Sequence, residues 1–250
     1  MTAEKLRARV RVRLERFARL VFQPGVISVA ARGGDVRTYL ALRQEWWRHA
    51  GIRTVVDIGA NVGQFAEAAR RAFPQAILHC FEPLPLCFVR LSRRFAGARG
   101  VFLYNTALAD KPGMSTMIQS SFSPSSSLRG MGPTHVREFP WTAGGDQLAV
   151  PVSTLDATFA EVPLSGPLLV KIDVQGTEDL VIAGGRVTLG QAAVVIVETS
   201  FEPLYKGQPL FDHIYHLLCT GGFEYRGSLG QLISPRDGRV LQADSVFVRR

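Results

Sequence analysis

The stretch Thr54-Val55-Val56-Asp57-Ile58-Gly59-Ala60-Asn61-Val62-Gly63-Gln64-Phe65 constrains the fold of this chain more than any other. A β-branched run ends in Asp57, and a small-residue turn carrying Gly59, Ala60 and Gly63 then opens a helix. A strand, a glycine turn and a helix in that order form the first half of a nucleoside-binding βαβ unit. The next apolar run ends in Phe81-Glu82-Pro83. An acid at the end of that second strand can accept hydrogen bonds from ribose hydroxyls, and glycines let the backbone approach a ligand closely. A dinucleotide site calls for G-x-G-x-x-G against a pyrophosphate, whereas this turn reads Gly-Ala-Asn-Val-Gly. With Asp57 just before it, the turn suits a ligand that carries an ammonium and no phosphate. S-adenosylmethionine (SAM) is the evident candidate.

The alternation continues. Strands are expected at 54–58, 76–81, 101–105, 168–172 and 194–198, and helices at 63–72, 84–95, 177–184 and 209–219. This order predicts an α/β fold, a doubly wound and mostly parallel sheet with ligands at the carboxyl ends of its strands. Two late apolar runs, Phe223-Glu224-Tyr225 and Ser245-Val246-Phe247-Val248, flank the turn-rich Ser234-Pro235-Arg236-Asp237-Gly238 and predict a closing antiparallel pair. The 51–250 region reads as one domain with an insertion at about 111–150. That insertion is rich in Ser, Gly and Pro and leaves from the ligand-bearing edge, so we read it as a lid rather than a loose surface loop.

Residues 1–50 read as a helical extension. Leu6, Val10, Leu14, Phe17 and Val21 recur at helical spacing with arginines over the remaining face, and 36–50 forms a second helix with Tyr39, Leu42, Trp46 and Trp47 on its apolar side. The first helix either packs on the domain or a partner, or lies on anionic lipid as a peripheral membrane contact. It carries +5 of the net +8, leaving the rest only weakly basic. Three unclustered cysteines (Cys80, Cys87, Cys219), no apolar leader and no span-length run lead us to expect a cytoplasmic protein, peripheral at the inner membrane face if that helix binds lipid.

Candidate ligand contacts follow from position. Asp57 meets a ligand ammonium or orients the glycine turn; Gly59, Ala60 and Gly63 form that turn; Asn61 hydrogen-bonds the ligand or tolerates the bend; Glu82 takes the ribose. Asn105 and Ala107, just past the third strand, lie where an adenine ring would sit. Asp173, Glu178 and Glu198 place three carboxylates on one rim, able to share a proton, or a divalent metal held by Asp173 and Glu198. The bland reading of Glu178 is a residue favoured by the helix dipole, with Thr177 as the cap. His135, in the insertion, is a general base near neutrality or a solvated loop histidine.

At these residues the chain resembles the FkbM family of SAM-dependent methyltransferases. The matching stretches are Val56-Asp57-Ile58-Gly59-Ala60-Asn61-Val62-Gly63, Phe81-Glu82-Pro83, Ser125-Ser126-Ser127-Leu128, Ser153-Thr154-Leu155-Asp156, Lys171-Ile172-Asp173-Val174-Gln175-Gly176-Thr177-Glu178 and the run from Val194 to Glu198. The resemblance covers about residues 50 to 250. It implies a class I, Rossmann-like methyltransferase fold and methyl transfer from SAM to a hydroxyl of a sugar, glycolipid or natural product. Two other readings compete. RNA 2′-O-methylation fits the basic pI of 9.9, but the charge is confined to one end and no basic, aromatic platform is visible on the body, so nucleic acid is not the expected partner. A non-catalytic docking module fits the arginine helix, but the intact Asp57, Gly59, Gly63 and Glu82 argue against a dead site.

Overall fold

The computed structural model describes residues 23–250. The arginine-rich helix expected over 4–21 lies outside these residues. In chain order the helices are α1 (Val26–Ala31), α2 (Val36–Leu42), α3 (Glu45–His49), α4 (Gln64–Ala72), α5 (Pro85–Arg94), α6 (Pro133–Glu138), α7 (Leu155–Phe159), α8 (Glu178–Ala183), α9 (Arg186–Leu189) and α10 (Phe211–Thr220). The strands are β1 (Thr54–Ile58), β2 (Ile77–Phe81), β3 (Val101–Tyr104), β4 (Ala107–Leu108), β5 (Gly113–Gln119), β6 (Asp146–Ser153), β7 (Leu168–Ile172), β8 (Ala192–Ser200), β9 (Phe223–Ile233) and β10 (Val240–Arg249).

The main sheet has seven strands in the order β3-β2-β1-β7-β8-β10-β9. Strands β1, β2, β3, β7 and β8 pair in parallel, and β10 runs antiparallel to both β8 and β9. β1 and β7 are buried along their whole length, as strands covered on both faces must be, and both read as near-continuous apolar runs. Period-2 alternation splits them between two cores. Val56, Ile58, Val170 and Ile172 face α8, α9 and α10, while Val55, Leu169, Val194 and Ile196 face α4, α5, Leu42 and Trp47.

From β1 the chain winds outward through β2 and β3, then returns to build β7 and β8 on the other side. The strand order therefore reverses between β1 and β7, and a crevice opens at their carboxyl ends. In the β1–β7 register Asp57 stands opposite Lys171 and Ile58 opposite Ile172, so the glycine turn and the Asp173 turn leave the sheet side by side.

Two elements differ from the sequence reading. The single helix expected over 36–50 is two, because Gln44 is extended (φ −60°, ψ 154°) and starts α3 afresh. The break drives Trp47 into the core beside Phe73, with ring centroids 6.2 Å apart, and leaves Trp46 half-exposed. Helical periodicity is blind to such a redirection. Residues 111–150, read from the sequence as a lid without assigned strands or helices, carry β5 and most of β6 of a small second sheet (β4-β6-β5), with α6 between them. Among the described residues no helix is long and apolar enough to cross a membrane.

The Ser153-Thr154-Leu155-Asp156 stretch is a helix-start device. Thr154 Oγ1 accepts from Ala157 N at 3.0 Å, and the Asp156 carboxylate accepts from Val187 N at 3.0 Å and Thr188 N at 2.7 Å. Side-chain acceptors of this kind satisfy donors that a helix start leaves unpaired.

Candidate active site

The turn after β1 is built by hydrogen bonds to its neighbour strand. Gly59 N and Ala60 N both donate to the Phe81 carbonyl, at 3.0 and 2.9 Å. Gly59 adopts φ +83°, and a Cβ on it would fall 1.8 Å from the Asp173 carbonyl oxygen. What demands a glycine here is thus the approach of the Asp173 turn, not the ligand alone. Asn61 bends through φ +49°, and its N–H donates to Glu82 Oε2 at 2.8 Å while Leu84 N donates to Glu82 Oε1 at 2.8 Å. Two backbone donors thereby fix the Glu82 carboxyl at the end of β2. Burial pushes its pKa up to about 7 against the pull of those donors. Gly63 begins α4 and lies against Leu91 and Phe95.

A cavity of about 520 Å³ fills the crevice, within the range of roughly 300–1,000 Å³ usual for small-molecule sites. One end is lined by Gly59, Ala60, Asn61, Glu82, Ala107 and Leu108; the other reaches Lys171, Asp173, Gln175, Glu198 and Asp244. Serines of the 120–127 segment cover it. Ser123 Oγ lies 3.3 Å from the Asn61 amide, and Ser127 Oγ donates to the Gln175 carbonyl at 2.6 Å. Further bonds fasten this cover to the loop after β8: Gly132 N to Leu204 O at 2.7 Å and Lys206 N to Gly130 O at 2.8 Å.

The rim beyond β7 and β8 is a single network. Lys171 Nζ donates to Asp173 Oδ2 at 2.9 Å and stands 3.7 Å from Asp57 Oδ1. Burial alone would lower the Lys171 pKa, but Asp173 and Asp57 hold it above its ordinary value. Gln175 Nε2 donates to both Asp173 Oδ1 (2.7 Å) and Glu198 Oε2 (2.8 Å), and Tyr205 O–H donates to Gln175 Oε1 (2.8 Å). Gln242 Nε2 adds a second donor to Glu198 Oε2 at 2.8 Å. Burial, then the charges of Asp173, Glu178 and Asp244, raise the Glu198 pKa well above the usual carboxylate range.

Several expected contacts sit elsewhere. Asp57 is fully buried beneath the glycine turn, outside the cavity wall, with no hydrogen-bond partner on either oxygen. Burial brings its pKa to about 6 despite Lys171. Geometry thus favours the turn-orienting role over direct ammonium contact. Asn105 donates its amide to the Glu82 and Pro83 carbonyls at 2.8 and 3.1 Å, which leaves Ala107, not Asn105, on the cavity wall. Glu178 is buried and accepts from Val174 N at 3.2 Å and Gly176 N at 3.0 Å, shaping the turn instead of lining the cavity. Burial pushes its pKa to about 7.

His135 is likewise absent from the cavity wall. It is buried under the cover, with Nε2 2.9 Å from Thr142 Oγ1 and its ring 5.0 Å from that of Tyr205, and burial lowers its pKa. Thr177 starts α8 without capping it; its hydroxyl is buried, lacks a partner and lines the cavity. Among the described residues no group of three or more His, Cys, Asp and Glu side chains is placed to hold a metal. Lys171, Gln175, Tyr205 and Asp244 were not picked out by sequence reasoning. A cue existed for the first two only, since both flank Asp173.

A doubly wound sheet with a ligand crevice at its reversal point, an acid ending the second strand and one reversed strand near the edge defines the class I methyltransferase architecture. Comparison with known proteins narrows the class. Residues 57–225 match the Methyltransferase FkbM domain. The chain belongs to the FkbM family of methyltransferases and is an enzyme. It is 31% identical over 171 residues to the 2-O-methyltransferase NoeI of Sinorhizobium fredii, covering 66% of this chain and 70% of that one. It is 29% identical over 157 residues to the 31-O-demethyl-FK506 methyltransferase FkbM of Streptomyces tacrolimicus, covering 52% and 58%. The solved Methyltransferase FkbM from Methylobacillus flagellatus aligns at a TM-score of 0.49 and 12% identity, over 90% of this chain and 58% of that one.

Proposed function

We propose that the chain is a SAM-dependent O-methyltransferase acting on a hydroxyl of a small-molecule acceptor: a sugar, a glycolipid or a natural product. The observation that carries the reading is one cavity shared by Glu82 at its β2 end and Asp173 at its β7 end. Both relatives named above are, by name, O-methyltransferases or act on an O-demethyl compound.

The residues fit SAM. Both Glu82 oxygens keep a lone pair free for a ribose diol, Ala107 and Leu108 offer an apolar wall for adenine, and the orphaned Thr177 hydroxyl gains a partner. Bound SAM supplies an electrophilic methyl on a sulfonium. The protein's part is to align an acceptor hydroxyl with that methyl, keep water out and take up the hydroxyl proton. Asp173, with 26% of its side chain exposed to the cavity, is the proposed proton acceptor. With SAM bound, a carboxylate oxygen of Asp173 would take up the proton that the acceptor hydroxyl gives up on receiving the methyl group. Glu198 supports Asp173 through Gln175. We assign the 120–142 cover the selection of acceptor, since it closes the cavity without contributing to the proton path.

The donor end and the acceptor end are testable separately. Glu82→Gln is expected to weaken SAM binding about tenfold, the loss of one charge-assisted hydrogen bond. With a carboxyl pKa of about 7, ionisation of Glu82 is favoured by ribose hydroxyls that donate to it. Wild-type affinity should therefore rise as pH goes from 6 to 8, and the variant should be flat. Calorimetric titration across that range checks both; a pH-independent wild type sinks the ribose assignment. For the function itself, labelled methyl from SAM is followed into a host extract split into lipids, polar small molecules and RNA. Label in nuclease-sensitive material would overturn the small-molecule reading.

A further inference from the structure

We propose that Gln175 is the positioning residue of the carboxylate rim, its amide taking the place a divalent cation would need between Asp173 and Glu198. The inference rests on the assignment of this rim to the acceptor hydroxyl and names what holds it in shape.

Gln175 occupies a left-handed backbone position (φ +60°) that a non-glycine residue seldom adopts. Its surroundings enforce it. Ser127 Oγ grips the Gln175 carbonyl at 2.6 Å, and Glu178 accepts from the N–H groups of Val174 and Gly176 on either side. Such strain persists where neighbouring contacts over-determine it, and it is found at working sites. The bend aims the side chain at the gap between the ends of β7 and β8. There every polar atom of the amide is used. Its two N–H groups go one to each carboxyl, and its oxygen takes the Tyr205 hydroxyl. An amide offers two N–H donors and no more.

A dication bridging Asp173 and Glu198 would meet those donors head-on, since hard cations require oxygen ligands facing them. Lys171 already supplies the positive charge on the far side of Asp173, at 2.9 Å. Gln242 donates to the same Glu198 Oε2, so the carboxyl oxygen turned toward Gln175 carries two N–H donors. The carboxyl pair is therefore fixed by protein donors, and Gln175→Glu replaces the central donors with a third set of acceptors.

The test is a titration of MnCl2 into the full chain, with free Mn²⁺ read by electron paramagnetic resonance. The wild type should leave the free-ion signal undiminished. Gln175→Glu should bind one Mn²⁺ per chain, and adding Asp173→Asn should abolish that binding. Mn²⁺ binding to the wild type that Asp173→Asn removes would overturn the proposal, as would a folded Gln175→Glu that binds none. Gln175→Met, which keeps length and loses the donors, is the second arm. It should lower kcat roughly tenfold or more with SAM affinity unchanged and no rescue by Mn²⁺; full kcat, or turnover of the wild type that fails in EDTA and returns with Mn²⁺, overturns the positioning role. The cation titration needs no acceptor, so it reads the proposal even where the search for an acceptor fails.

Discussion

Asp173→Asn is expected to lower kcat by roughly 10²–10⁴-fold, the usual contribution of a positioned base. Asparagine preserves size but keeps one acceptor oxygen, so it can accept from Lys171 or from Gln175, the partners now at 2.9 and 2.7 Å, and not from both. It cannot take up a proton. Because Glu82 and the glycine turn are untouched, SAM affinity should stay within about threefold, so that the loss is confined to steps after binding. Glu198 is no substitute base, because its Oε2 is already engaged by the amide donors of Gln175 and Gln242. Single-turnover rates with saturating donor, together with equilibrium SAM binding, check this. A variant with wild-type turnover would remove Asp173 from the chemistry.

The second large effect concerns stability. Gly59→Ala should cost about 4 kcal/mol or more, combining a left-handed residue with backbone overlap that no rotamer relieves. The added methyl would lie 1.8 Å from the Asp173 oxygen, so the β1 and β7 turns must part. For a chain of this size that corresponds to a fall in Tm of roughly 8–16 °C. Gly97→Ala is the control. Gly97 also has positive φ (+71°) but open space around its Cβ, and the change should cost only about 1 kcal/mol. Thermal melts of the pair separate backbone strain from collision, and equal losses would mean that the contact with Asp173 is immaterial.

The residues that announced the fold were those whose physics is local. Val55, Val56 and Asp57 form a strand buried on both faces, and the glycines behind it mark a turn; neither inference needs to know what packs there. The antiparallel close of the sheet was legible for the same reason, from two apolar runs around a turn-rich loop. Gln44 shows the opposite case, since nothing in its neighbourhood predicts that the chain must bend to bury Trp47. The candidate site divides along the same line. Glu82 and Asp173 end strands, so their placement follows from alternation alone. Asn105, by contrast, spends its amide on the Glu82 and Pro83 carbonyls, a contact between two strand ends. Gln175 acquires its place only when β7 and β8 lie side by side and Tyr205 and Ser127 arrive from distant segments. His135 looked like a loop residue because the cover that encloses it has no periodic pattern.

The matched family segment, residues 57–225, is not the unit that physics delimits. Leu42 and Trp47 come before it and fill the same core as Phe65 and Leu91. Strand β10 comes after it and is wedged between β8 and β9, carrying Val246 into that core and Phe247 into the opposite one. Excised at the family boundaries, the chain would keep most of its site residues yet lose a wall of its interior and expose the hydrogen-bonding edge of β8. Ancestry and autonomy thus draw different borders here. The shared segment is a heritable kit for chemistry, and its flanks complete the two cores and the sheet that hold the kit in shape.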